Sequence, residues 1–74
     1  MRRVKAYTVM VWHMEKDKVY RYVIDADDAR PHGFDGDPSR TIAGIRGRER
    51  CCEELGETYS PDVHKVLGIK EVHH

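Results

Sequence analysis

Cysteine is nearly absent from this chain, and the two it has, Cys51 and Cys52, are neighbours. Adjacent residues on a helix point about 100° apart, so the pair is badly placed for a mutual disulfide. This excludes a disulfide framework of the secreted kind and reads instead as two free thiols in a reducing compartment. Net charge is missing as well. Thirteen basic and thirteen acidic residues cancel, so no global field draws the chain to nucleic acid, an anionic membrane or an acidic substrate. No apolar run approaches the roughly 18 residues that a membrane-crossing helix needs. Met1-Arg-Arg-Val-Lys leads directly into a strand pattern rather than a hydrophobic signal core, so the expected location is cytoplasmic.

What remains is a single short domain. Seventy-four residues bury only about 60% of the surface that their unfolded form exposes, so the chain's own core is thin. Residues 1–72 make the domain; His73 and His74 end the chain as a tag remnant would and are kept out of the functional reading. The segment YTVMVWHM, Tyr7 to Met14, reads as a strand with an anomaly. Successive strand residues face opposite sides, which puts Tyr7, Val9, Val11 and His13 on one face and Thr8, Met10, Trp12 and Met14 on the other. Both faces are largely apolar, although a chain this short cannot readily cover both sides of a sheet.

A second strand-like run spans Val19 to Ala26, joined to the first through Glu15-Lys16-Asp17-Lys18. A turn centred on Lys16-Asp17 would set Met14 opposite Val19, Trp12 opposite Arg21 and Met10 opposite Val23. The stretch DADDARPHGFDGD, residues 25–37, is a loop broken by Pro31, Gly33 and Gly36. Asp37-Pro38 then offers a helix start and Gly56 a stop. On that helix Thr41, Ile45, Cys52 and Leu55 share one side, and Arg48 falls among them. Gly44 and Gly47 weaken it by about 1 kcal/mol each relative to alanine, either as a break or as points of close approach to the sheet.

Val63 to Val72 reads as a third strand, with Val63, Leu67 and Ile69 on one face and His64, Val66 and Val72 on the other. The expected fold is a small two-layer α+β domain of order β-β-α-β. Its three-stranded antiparallel sheet has the order 2-1-3, with one helix on one face. The helix-side core should contain Val9, Val11, Tyr22, Ile24, Ile45, Leu55, Leu67 and Ile69.

Chemistry is sparse. A thiol paired with His13, His32 or His64 would need an electropositive, partly open site, whereas Cys51 and Cys52 sit near a helix C-terminus beside Glu53 and Glu54. The acidic loop lacks the spacing of a calcium-binding hand, and the cysteines and histidines do not match zinc spacings. No catalytic residue, metal ligand or cofactor is therefore assigned. Arg2 and Arg3 as an arm, with Arg46, Arg48 and Arg50 on the helix, form an alternative nucleic-acid-binding cluster. Glutamates interleave with those arginines, as on an ordinary solvated helix face.

The second sheet face is the stronger candidate. Met10, Trp12, Met14, Val19, Arg21, Val23 and Val66 would form an apolar surface whose Trp, Met and Arg content suits an interface core, the alternative being that loop 25–38 folds over this face with Phe34 as a plug. The expected function is a non-enzymatic protein-binding or regulatory domain that uses this face, toward a second copy or a larger protein target. A modulator of a host protein, of the kind phage and mobile elements encode, fits that description.

Overall fold

The computed structural model describes residues 4–29 and 39–73. Strands β1 (Val4–His13), β2 (Lys18–Asp25) and β3 (His64–His73) form one antiparallel sheet of order β2-β1-β3. A 3-10 turn, Ala26–Ala29, follows β2, and helix α1 (Ser39–Leu55) packs across one face of the sheet. The α+β architecture is the one expected. The proposed helix start at Asp37-Pro38, the loop residues around Phe34, and Arg2 and Arg3 lie outside the described residues.

The β1–β2 hairpin keeps its predicted faces but pairs two residues away from the predicted register. Trp12 sits opposite Val19, Met10 opposite Arg21 and Val9 opposite Tyr22. A shift of two preserves which side chains face the core, because the side-chain period is two. The connection is four residues, 14–17, with Asp17 left-handed at φ 50°. Two bonds accompany the longer turn: the Trp12 indole Nε1–H donates to Asp17 Oδ1 (3.2 Å), and Met14 N–H donates to the Val63 carbonyl (2.8 Å).

In β3 the correction is larger. Val11 pairs with Val66 while Met10 pairs with Gly68, so Leu67 is an extra residue bulged out of the ladder. A bulge advances the alternation by one. Val66 and Ile69 therefore both pack on the helix-side core, whereas Leu67 is 53% exposed. Alternation alone puts Val66 on the open face and Leu67 in the core; the bulge reverses both.

Helix α1 is continuous through both glycines. Its buried side is Ala43, Gly44, Gly47, Cys51 and Cys52, with Leu55 packed against the core; of the expected stripe, Cys52 and Leu55 face the sheet and Thr41 and Ile45 do not. Ile45 is instead 39% exposed. The reason is crowding by the sheet. A Cβ at Gly47 would stand 2.5 Å from Val9 Cγ1, so only the smallest residues can face the central strand. Val9, Val11 and Ile24 are fully buried beneath this seam, with Tyr22, Leu55 and Ile69 packed against it.

Gly56, at φ 67°, ends the helix with two reversed bonds, Gly56 N–H to Glu53 O (3.3 Å) and Glu57 N–H to Cys52 O (2.9 Å). These are the bonds of a left-handed glycine cap. The cap turns the chain so that Glu57 faces the ends of β1 and β3.

Candidate functional site

The helix-free face of the sheet is built around β1. Thr8, Met10 and Trp12 alternate with the core residues Tyr7, Val9 and Val11, and so point away from α1. Cross-strand neighbours extend the surface. Val19 and Lys65 flank Trp12, Arg21 and Gly68 flank Met10, and Val23 and Lys70 flank Thr8. Gly68 lies close beneath Met10, whose Cε would be 3.0 Å from a Cβ there.

Of the apolar side chains expected on this face, Val19 (50%) and Val23 (57%) are half exposed or more, and Met14 is exposed beside them. Trp12 is only half-buried, and its indole N–H donates to the Asp17 carboxylate. Val66 is absent from the surface, and Leu67, which alternation alone hides, is exposed. The missed signal is Gly68: a glycine inside a strand pattern often marks a bulge.

The arginines of α1 are engaged within the fold. Arg46 pairs with Glu49 (3.2 Å) and reaches the Asp28 carbonyl, and Arg50 donates to the Val23 carbonyl (3.1 Å) and pairs with Asp28. Arg48, half-buried, donates to the Tyr59 hydroxyl (2.8 Å) and stacks over its ring at 4.7 Å. Arg40 donates to the Ile69 carbonyl (2.7 Å). Arg40 and Arg50 thus each occupy a carbonyl of one edge strand, which blunts those edges against pairing with another chain. A phosphate would have to displace a carbonyl, an acid or an aromatic face at every one of these cations.

One polar cluster was not foreseen. His13 ends β1, His64 opens β3, and the two residues are paired and fully or almost fully buried. Their rings meet edge to face at 5.2 Å. Glu57 accepts from both, 2.9 Å from His13 Nε2 and 3.4 Å from His64 Nε2. The three ligand atoms lie within 4.8 Å of one another, compact enough for one divalent cation.

The proton positions argue for a different use. His13 Nδ1 accepts the Lys16 main-chain N–H (3.2 Å), and His64 Nδ1 accepts that of Ser60 (3.1 Å). The proton of each neutral ring therefore sits on Nε2, the very atom a metal would require. Metal-bound histidines show the opposite arrangement, with the outer N–H donating to an acceptor. The cluster is best described as a clamp, in which one carboxylate joins the ends of two strands and the turns that follow or precede them.

Burial alone would raise the Glu57 carboxyl, but the N–H bonds from His13 and His64 outweigh it and hold it below its ordinary value. A depressed folded value stabilises the protein fully above the unfolded carboxyl value of about 4.3 and loses that contribution as pH falls toward the folded one. Thermal melts from pH 7 to 3 should show this acid limb, and Glu57→Gln should flatten it. An unchanged limb in the glutamine variant would show that the clamp does not depend on the charge.

Cys51 and Cys52 are buried, and burial first of all pushes both thiols above their ordinary value. A low thiolate population is the opposite of what a nucleophile needs. The Tyr22 hydroxyl beside Cys51 is likewise raised by burial, with Glu54 and Cys51 adding to it. Among the described residues, no helix is long and apolar enough to cross a membrane. Comparison with family models, curated proteins and solved structures gives no match for this chain.

Proposed function

We propose that this chain is a small protein-binding domain, regulatory rather than catalytic, that works through the sheet face opposite α1. One observation carries the reading: Val19 and Val23 remain half exposed or more on the face that carries Met10 and Trp12, and the Trp12 indole N–H is bonded to Asp17. A contiguous apolar surface rimmed by charge is characteristic of an interaction site. An aromatic anchor restrained by a hydrogen bond before binding lowers the ordering cost of association. The two buried, unpaired thiols fit the reducing cytoplasm as the place where the domain works. The nucleic-acid alternative loses support because Arg46, Arg48 and Arg50 are already engaged.

Val23→Asp tests this reading with little risk to the fold, because Val23 is 57% exposed. A photoreactive residue at Val19 should give a discrete protein adduct in the native cell, or sedimentation should show self-association. Either signal should disappear in the Val23→Asp variant while its melting temperature stays within a few degrees of the parent. No adduct together with a strictly monomeric chain would sink the proposal.

A further inference from the structure

Resting on the protein-binding reading of the sheet face, we infer that its occupant is an acidic amphipathic helix of another protein and not a second copy of this chain. Width is the first argument. Three strands about 4.8 Å apart present a surface roughly one helix wide, which is why the single helix α1 suffices on the other side. The open face is the same width, and a helix laid along β1 would complete a three-layer sandwich.

Charge is the second argument. Arg21 on β2 lies opposite Met10, while Lys65 and Lys70 on β3 lie opposite Trp12 and Thr8. The apolar midline of the face is thus flanked by cations on both sides. Among the described residues, no ion pair or hydrogen bond engages these three side chains, whereas each arginine of α1 is held by an acid, a carbonyl or a ring. Among the described residues of β1, β2 and their connection, acids beside the face include Asp17, already bonded to Trp12, and Asp25 at the end of β2. Among the described residues, this surface therefore carries three cations with no acid paired to them.

Face-to-face pairing of two copies would bring both sets of Arg21, Lys65 and Lys70 to one seam, a like-charge arrangement that opposes association. A single-stranded nucleic acid would satisfy the cations but needs aromatic platforms for its bases. Trp12 is the sole aromatic side chain directed to this face among the described strand residues; its cross-strand neighbours are Val19 and Lys65. An amphipathic helix meets both demands. Its apolar stripe covers Met10, Trp12, Val19 and Val23, and glutamates on either flank reach Arg21 on one side and Lys65 and Lys70 on the other.

The test uses the intact chain and 18-residue helical peptides that share one leucine stripe and carry glutamate, glutamine or lysine on both flanks. Fluorescence of Trp12, the single tryptophan, reports binding. The glutamate peptide should bind at least tenfold tighter than the lysine peptide, with a preference that shrinks as salt rises. Lys65→Glu/Lys70→Glu should reverse the order, and Val23→Asp should remove binding of all three. Equal affinity for the three peptides, or self-association through this face, overturns the acidic-helix assignment while leaving a protein-binding surface in place. Saturable binding of an oligothymidine or of anionic vesicles without the glutamate peptide overturns both. A face that engages none of these probes, in a chain that also forms no adduct in cells, overturns both as well.

Discussion

Replacing Gly47 with alanine should destabilise the domain, although alanine is the better helix former by about 1 kcal/mol. The new Cβ would lie 2.5 Å from Val9 Cγ1 and 2.8 Å from Val9 Cβ. A rotamer change moves the first atom but not the second, so the central strand or the helix axis must shift. Overpacking of this kind costs about 1–3 kcal/mol, and more for a larger residue, so the overlap wins over the propensity. Chemical denaturation should show a net loss of up to ~2 kcal/mol for Gly47→Ala and a larger one for Gly47→Val. Gly44 is the internal control. Its nearest neighbour is the flexible tip of Ile69, Cδ1 at 3.2 Å, so Gly44→Ala should be neutral or slightly stabilising. Combining Gly47→Ala with Val9→Ala should recover part of the loss, since the added methyl enters the space that Val9 vacates. A Gly47→Ala variant more stable than the parent would contradict the close approach of α1 to β1.

The second large effect is a contrast between two aliphatic residues of similar size. Ile24 is fully buried beneath α1, so Ile24→Ala should cost about 2–5 kcal/mol. A 74-residue domain has a total stability of about 4–11 kcal/mol at ordinary values per residue, so this one change removes a large share. Leu67→Ala should cost only a few tenths of a kcal/mol, because the bulge leaves Leu67 more than half exposed and outside the core. Periodicity in β3 taken alone would make the two substitutions equally damaging. Equal losses would show the Leu67 bulge to be wrong. In a partner-binding assay the ranking should invert, with Leu67→Ala weakening association.

The candidate surface was legible wherever alternation ran undisturbed. Met10, Trp12, Val19, Arg21 and Val23 fall on the expected face because β1 and β2 keep a strict period of two there. Reading failed where one residue broke that period. Leu67 shifted Val66 to the core and placed itself at the surface, with only Gly68 as a local hint. The helix face was misread for a different reason. Periodicity turns apolar side chains toward the sheet, but Val9 leaves no room for a Cβ at Gly47, and Ile45 turns partly to solvent. The His13–Glu57–His64 clamp had no signature in the chain, since its members are 44 and 7 residues apart and share no spacing rule.

By itself, the sequence determined the class of fold. Local patterning, turn residues and Gly56 specify two strands, a helix and a third strand. The apolar content of both faces of β1 shows that one helix leaves a surface unfilled. These are near-neighbour properties, set by side-chain period and backbone preference along a few residues. The tertiary structure alone decided what occupies each face. The bulge at Leu67, the helix rotation imposed by Val9, the capture of the α1 arginines by edge carbonyls and the unpaired cations beside Met10 and Trp12 all depend on distant segments meeting. Packing and charge are then settled by whichever side chains share a volume, and no local pattern encodes that.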